Sequence, residues 1–173
     1  MARRLLLLIA LSVAVSTVFA QYPYWTNHCN SYRLQDLAIS PTDIWCLADS
    51  PLRVDRTSGL ITQLTHANSP LPEHRYKGID CDSAGNVWLL PRSGGLMKFD
   101  GTSCTVYEPD FYYYEFSSLT VVGTNDMWLA SYQGLVHFNG SSFTDVLSPY
   151  NYESLRVYSV KLDSLGRVWF ILD

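Results

Sequence analysis

Four tryptophans recur along this chain at a nearly constant interval. Trp45, Trp88, Trp128 and Trp169 are separated by 43, 40 and 41 residues, and each follows an aliphatic residue or a methionine. Self-similarity with a period of roughly 20–50 residues is the signature of a repeat architecture. The chain is therefore expected to fold as a series of similar units rather than around one irregular core.

The residues around the tryptophans repeat as well. The run Asp-Ser-Ala-Gly-Asn-Val-Trp at 82–88 is answered by Asp-Ser-Leu-Gly-Arg-Val-Trp at 163–169. Further along the unit, residues 98–101 and 137–140 end in Asp-Gly and Asn-Gly, pairs that tolerate the positive φ angles of tight hairpin turns. Turn residues at fixed offsets from each Trp predict hairpins within every unit.

Each unit reads as four short strands joined by turns, with no helical periodicity after the N-terminus. In the second unit we predict strands near 78–83, 87–91, 96–99 and 104–107. A four-stranded antiparallel unit cannot bury both faces alone, and radial repetition solves this by packing each blade on the next. The predicted fold is all-β, a β-propeller of about three and a half blades, with each repeated Trp wedged between blades.

A family resemblance follows from these motifs. Residues 82–89, followed by Gly-Gly-Leu-Met-Lys-Phe-Asp-Gly at 94–101, resemble the two-component regulator propeller repeat, and residues 128–140 look like a second copy. The resemblance covers most of residues 35–173 and implies propeller blades. It also implies either an extracytoplasmic sensor region, often preceding a membrane segment and a histidine kinase, or a secreted protein.

The chain divides into a leader, a short segment and the repeats. The predicted boundaries are a signal peptide at 1–20, an N-terminal segment at 21–34, and a partial propeller at 35–173 with blades near 35–77, 78–117, 118–156 and 157–173, the last one incomplete. Since rings of this family usually hold more blades, we expect an N-terminal fragment of a longer protein. The alternative is a four-bladed ring in which Gln21 to Leu34 supply an outer strand to the last blade.

The first twenty residues have the layout of a secretory signal peptide. Arg3 and Arg4 precede an apolar run, and Val18-Phe19-Ala20 gives a small-residue ending. We predict cleavage after Ala20 and a secreted or periplasmic protein. No later stretch approaches the roughly 18 apolar residues of a spanning helix, so no membrane span is predicted within this chain.

Charge and composition exclude other classes. The chain carries a formal net charge of −4 and only 16% charged residues, and loss of Arg3 and Arg4 makes the remainder more acidic. Nucleic acid is therefore not a predicted partner. An exported chain meets an oxidising compartment, where disulfides among Cys29, Cys46, Cys81 and Cys104 are expected. Their connectivity stays open, with buried thiols as the alternative, and their spacing does not suit zinc.

Candidate binding residues lie in the loops that join one blade to the next. These loops collect tyrosines and acids, and the same face of a propeller would display them together. Tyrosine rings stack on sugars and carboxylates accept hydroxyl hydrogen bonds, which suggests a glycan, another polar ligand or a protein partner. Packing of the loops is the alternative for the same residues. The candidates are Glu73, His74, Tyr76, Tyr112, Tyr114, Glu115, Tyr150, Tyr152 and Glu153.

Catalytic signatures are sparse. The histidines show no metal-ligand spacing, and no nucleophile elbow, P-loop or dinucleotide fingerprint occurs. We predict no catalytic residue, no metal and no cofactor, and read the chain as a non-enzymatic, sensor-type binding region of a larger protein. The alternatives are a structural or adhesive secreted propeller and, because residues 54–62 are similar to repeats of streptogramin lyases, a propeller enzyme.

Overall fold

A computed structural model describes residues 34–48, 50–72, 75–110, 115–147 and 155–173. These residues form strands and turns, and none of them forms a helix long and apolar enough to cross a membrane. In chain order the strands are β1 (Asp36–Ile39), β2 (Asp43–Leu47), β3 (Pro51–Asp55), β4 (Ile61–Gln63), β5 (Tyr76–Cys81), β6 (Val87–Pro91), β7 (Leu96–Phe99), β8 (Cys104–Tyr107), β9 (Phe116–Gly123), β10 (Asp126–Ser131), β11 (Gly134–Phe138), β12 (Phe143–Asp145), β13 (Val157–Leu162) and β14 (Val168–Leu172).

Each repeat makes its own antiparallel sheet. The first three sheets have the simple orders β1-β2-β3-β4, β5-β6-β7-β8 and β12-β11-β10-β9, and β13 pairs with β14. Every connection within a sheet is a hairpin between neighbours in sequence, as the turn motifs predict. The all-β prediction is confirmed.

The strands predicted for the second unit match with one shift. Strands β6, β7 and β8 have the predicted bounds, whereas β5 covers Tyr76–Cys81 instead of residues 78–83. The strand ends before Asp82 because the Oδ1 atom of Asp82 accepts the backbone N–H groups of Ala84 and Asn86, at 3.0 and 2.9 Å. Those bonds close a turn that a continuing strand could not form.

Consecutive sheets bury side chains between them. The middle strand β6 is apolar throughout because both of its faces are covered. Val87 and Leu89 face the core shared with the first sheet, and Trp88 and Leu90 face the core shared with the third. A third core, which includes Ala130, Leu135, Val157 and Val160, lies between the third sheet and the β13-β14 pair.

The repeated tryptophans differ in how far this packing covers them. Trp45 and Trp88 are buried between sheets, as the wedge prediction requires, Trp128 is half-buried, and Trp169 is 59% exposed. Complete burial of a Trp removes roughly 150–250 Å² from water, about 4–6 kcal/mol of transfer free energy. The two buried rings are therefore major contributors to the contacts between the first three sheets.

A basic residue lies across from each of the first three tryptophans. Trp45 pairs with Arg53, Trp88 with Lys98 and Trp128 with His137 in the cross-strand register. The Arg53 guanidinium lies 6.0 Å from the Trp45 ring centre and the Lys98 ammonium 5.2 Å from the Trp88 ring centre. The His137 ring centre lies 4.8 Å from that of Trp128, with the two rings tilted by 43°. Cation–π attraction of this kind contributes roughly 0.5–1 kcal/mol at exposed sites. The Trp period in the sequence does not reveal these partners.

Three of the four cysteines lie in the described part of the chain. No disulfide joins Cys46, Cys81 and Cys104 to one another, and Cys29 lies outside the described residues. Cys81 on β5 and Cys104 on β8 are separated by the two strands β6 and β7, roughly 14 Å at the usual strand spacing, whereas bridged Cα atoms lie within about 7 Å. Both thiols instead pack against the first core, and burial raises the pKa of Cys81 to about 12. A bridge among these three residues is therefore absent, and a bridge that involves Cys29 stays a prediction.

Candidate binding surface

Most of the predicted binding residues lie outside the part of the chain that the structure describes. These are Glu73, His74, Tyr112, Tyr114, Tyr150, Tyr152 and Glu153. Two of the predicted residues, Tyr76 and Glu115, are described, and they have different surroundings.

Tyr76 is a core residue. It is the first residue of β5, its side chain is 0% exposed, and its hydroxyl donates to the Met97 sulfur at 4.0 Å. A buried ring at this position packs between the first and second sheets and cannot touch a ligand at the loop surface. The prediction of ligand contact is wrong for Tyr76, because the strand begins two residues earlier than expected.

Glu115 is exposed, as a binding residue must be. It precedes β9, and its carboxylate forms an ion pair with the Lys77 ammonium on β5. Its backbone N–H donates to the Gln133 side-chain oxygen at 3.3 Å. Glu115 therefore links the second sheet to the β10-β11 turn of the third.

Next to Gln133 in the chain, Tyr132 carries an exposed aromatic ring. Tyr132 lies in the β10-β11 turn and contacts Tyr158 of β13, with ring centres 6.0 Å apart at 71°. Each ring is 41% exposed, and the Tyr158 hydroxyl donates to the Asp173 carboxylate at 3.2 Å. We call the surface formed by Lys77, Glu115, Tyr132, Gln133 and Tyr158 the tyrosine face.

The hydroxyl of a half-buried serine supports this face. The Ser117 hydroxyl on β9 lies 3.1 Å from the Val157 carbonyl and 3.2 Å from the Tyr158 carbonyl. It thereby ties the third sheet to the β13 backbone at Val157 and Tyr158. Exposed tyrosines on a fixed backbone present apolar area at low entropic cost, a property common at protein interfaces.

Tyr132 and Tyr158 are not among the binding residues predicted from the sequence. The predicted residues come from the loops between sheets, whereas Tyr132 lies in a tight turn within a sheet and Tyr158 inside a strand. The available signal was the placement of Tyr132 two residues before Gly134, since a glycine there is typical of a tight turn, where a side chain has no core to fill.

Histidine and acidic side chains of the described residues contact other groups of the chain. Within those ranges, no group of three or more His, Cys, Asp or Glu side chains is arranged to hold a metal ion. His137 lies 2.6 Å from the Asp126 carboxylate and against Trp128. Asp82 and Asp163, predicted to be turn residues, are confirmed in that role, because each accepts two backbone N–H groups of its own turn.

Comparison with known proteins identifies the fold. No protein-family model matches the chain, and no curated protein matches it either. Among solved structures it is similar to the extracellular domain of a hybrid two component system from B. thetaiotaomicron, with a TM-score of 0.67, 14% identity, and coverage of 87% of this chain and 21% of that one.

Two further structures have the same kind of similarity. YCF48 bound to D1 peptide gives a TM-score of 0.65 at 13% identity, covering 81% of this chain and 48% of that one. Catalytically inactive virginiamycin B lyase from Staphylococcus aureus with quinupristin gives 0.57 at 15% identity, covering 85% and 58%. The chain thus spans between 21% and 58% of the three structures.

The structural similarities agree with the four consecutive antiparallel sheets of this chain. Identities of 13–15% establish the fold and leave the family open. The chain is a partial β-propeller.

Proposed function

We propose that this chain is an exported, non-enzymatic, sensor-type binding region of a larger protein, and that its tyrosine face binds a peptide segment of a protein partner. The observation that carries the proposal is the exposed pair Tyr132 and Tyr158, held on two adjacent sheets at the surface. A pair of exposed aromatic rings on a rigid scaffold can serve as anchors for a partner, since Tyr is enriched among the residues that dominate interface energetics.

The polar rim of the face supports the same function. Lys77 and Glu115 supply one charge of each sign, and the Gln133 side chain supplies an amide beside the aromatic pair. An apolar centre with a satisfied polar rim is the usual anatomy of a protein-binding surface. The aromatic anchors would provide affinity and the rim would select among peptides.

Similar structures support export and binding. One of them is an extracellular domain of a two component system, and another is YCF48 bound to a peptide. The signal-peptide layout of residues 1–20 agrees with an exported protein. A glycan ligand and an adhesive role remain alternatives that the same experiment separates.

Selection from a phage-displayed peptide library tests the proposal. The full chain is the target, and enriched peptides are then titrated by calorimetry against the wild type and the double variant Y132A/Y158A. We expect enrichment of a consensus peptide and a loss of affinity of about tenfold or more in the double variant, since anchor residues at interfaces contribute at least ~1–2 kcal/mol.

A matched control uses Val106 on β8, which is 49% exposed and lies away from the tyrosine face. V106A should leave the affinity unchanged. Equal losses of peptide affinity in V106A and Y132A/Y158A would contradict a peptide-binding face. So would a library that yields no enriched peptide while immobilised glycans bind the chain.

A further inference from the structure

A second site lies away from the tyrosine face, in a cleft between the first two sheets. Its volume is about 400 Å³, within the range of small-molecule sites. The first sheet contributes Asp43, Trp45 and Arg53, the loop after β4 contributes Ser69, and the turns of the second sheet contribute Ala84 and Gly101.

One polar group in this cleft lacks a partner. Trp45 is 5% exposed, and among the described residues its indole Nε1 is a buried donor with no hydrogen-bond acceptor. A buried, unpaired donor costs roughly 1–3 kcal/mol, and such groups are rare in folded proteins. The unpaired N–H of Trp45 therefore needs an explanation.

Other repeats of the same chain show what this donor ordinarily contacts. The Trp88 indole N–H donates to the Asp82 carboxylate at 3.1 Å, and the Trp169 indole N–H donates to the Asp163 carboxylate at 2.9 Å. In both repeats the acceptor is a carboxylate six residues before the Trp.

The first repeat has a serine in place of that aspartate, five residues before Trp45 because the turn is one residue shorter. Ser40 closes its hairpin as Asp82 does, with its backbone N–H donating to the carbonyl of Asp43, the counterpart of Asn86. The Ser40 hydroxyl contacts the Asp43 backbone, at 2.9 Å to its nitrogen and 3.2 Å to its oxygen. The shorter side chain leaves the indole N–H without its carboxylate.

A guanidinium stands beside the unpaired indole. Arg53 bonds Asp43 through Nε at 2.7 Å and Nη2 at 3.3 Å, which leaves Nη1 without a partner among the described residues. In the fourth repeat, the Asp163 carboxylate takes an indole N–H from Trp169 and an Nε–H from Arg167, at 2.9 and 2.6 Å. An indole and a guanidinium sharing one carboxylate is thus a geometry that this chain already uses.

We infer that the cleft beside Trp45 binds a carboxylate group from outside the chain, which takes the place of the missing aspartate. The carboxylate accepts the Trp45 Nε1–H and lies within reach of Arg53. Leu64, Val87 and Phe99 give the cleft an apolar floor for the carbon atoms of the ligand. Because the Nε1 atom of Trp45 is not accessible to solvent, the side chains around it must shift slightly before a ligand carboxylate can reach it.

The charges around the cleft permit an anion. Asp43 is neutralised by its ion pair with Arg53. Asp100 lines the cleft, but it is solvent-exposed and its carboxylate accepts the N–H and hydroxyl groups of Thr102 and Ser103 in its own turn. Solvent screens the exposed charge, so Asp100 weakens anion binding less than an unpaired buried acid would.

Two pairs of probes separate the sources of a carboxylate. Succinate is compared with succinamide, and the N-acetylated, C-amidated tripeptide Ala-Glu-Ala is compared with Ala-Gln-Ala, each titrated into the full chain by calorimetry. Binding of succinate alone identifies a small acid, and binding of the Glu peptide identifies an acidic side chain; either supports the inference. Failure of both acids at about 10 mM, ten times a ~1 mM dissociation constant, overturns it.

Trp45→Phe keeps a ring in the core and removes the donor, so affinity for the bound acid should fall at least about tenfold. Trp88→Phe is the matched control, because its N–H is already held by Asp82 and its loss should leave affinity unchanged. Equal affinity of wild type and Trp45→Phe overturns the inference.

Ser40→Asp covers the case in which Trp45→Phe fails to fold. It supplies the carboxylate within the chain, so it should abolish acid binding while the melting temperature is kept or raised. A Ser40→Asp protein that folds and still binds the acid with wild-type affinity contradicts the site.

Discussion

The carboxylate of Asp80 on β5 accepts the backbone N–H of Val121 on β9 at 2.8 Å, across the gap between the second and third sheets. Asp36 does the same one repeat earlier, accepting the Ile79 N–H at 3.0 Å. In both cases a first-strand side chain bonds the first strand of the next sheet. Hydrogen bonding therefore joins adjacent sheets in addition to the apolar cores.

Replacing Asp80 should weaken this connection in a graded way. Asp80→Ala leaves the N–H groups of Val121 and Cys81 without their acceptor, a loss of about 1–3 kcal/mol in the free energy of unfolding. Asp80→Asn keeps one carbonyl oxygen and should lose less. Urea unfolding at pH 7 measures the free energy of unfolding of both variants. A lower value for Asp80→Asn than for Asp80→Ala would contradict the role of the Asp80 side-chain oxygen as a hydrogen-bond acceptor.

The stability that Asp80 contributes should depend on pH. Burial raises the pKa of Asp80 above its usual 3.8, and the nearby Asp36 adds to the rise. A raised pKa means that Asp80 holds its proton more tightly in the native state than in the unfolded chain. The resulting contribution to the free energy of unfolding is therefore complete below pH 3.8, and it is lost as the pH rises through the pKa of Asp80 in the native state.

Comparison with Asp80→Asn isolates that dependence. As the pH is lowered from 7 toward 4, the free energy of unfolding of the wild type should rise relative to that of Asp80→Asn. Urea unfolding across this range measures it, and a difference that shifts the other way would show that hydrogen bonds, not burial, dominate the Asp80 pKa.

Local patterns in the sequence determined much of the fold, because turn residues and the Trp period act over short distances. The bounds of β6, β7 and β8 follow from the Asp82 turn and the Asp-Gly turn at 100–101. What the sequence could not show is pairing across sheets: the Tyr132–Tyr158 contact and the Asp80–Val121 bond join residues 26 and 41 positions apart. Such contacts depend on how blades stack, which no local pattern encodes.

Two glycines in equivalent turns provide a matched steric test. Gly101 and Gly140 both have φ of +97°, but a Cβ at Gly101 would meet nothing within 4 Å, whereas one at Gly140 would lie 2.8 Å from the Asn125 Cβ and 3.1 Å from the Asn125 oxygen. Gly101→Ala should cost about 1–2 kcal/mol for the left-handed backbone alone.

Gly140→Ala should cost clearly more, because the turn must also move away from Asn125. Thermal unfolding of the two variants side by side gives the comparison. Equal losses of stability would mean that the turn at Gly140 relaxes freely and that its contact with Asn125 carries no constraint.

Export should remove the first twenty residues. Val18 and Ala20 occupy the small-residue positions that a signal peptidase reads, so the exported protein should begin at Gln21. Expression in a bacterium with an outer membrane, followed by mass spectrometry of the periplasmic fraction, determines the N-terminus. Ala20→Lys should block cleavage and leave the longer species, whereas a wild-type protein that keeps residues 1–20 in the cytoplasm would contradict export.

Asp82 should be the most costly turn residue to remove. Its buried carboxylate accepts the backbone N–H groups of Ala84 and Asn86, the Asn86 side chain, and the buried Trp88 indole N–H. Asp82→Ala leaves the indole donor unpaired within the core between the second and third sheets. Bonds to a charged acceptor contribute about 1.5–3 kcal/mol each, so a loss of about 3 kcal/mol or more is expected.

Asp163 makes the same contacts in an exposed setting, with Trp169 59% exposed. Water can replace its hydrogen bonds there, so Asp163→Ala should be much milder than Asp82→Ala. Urea unfolding monitored by Trp fluorescence compares the two. If Asp163→Ala proved as damaging as Asp82→Ala, the cost would come from the turn itself, and the buried indole bond would contribute little to holding the second and third sheets together.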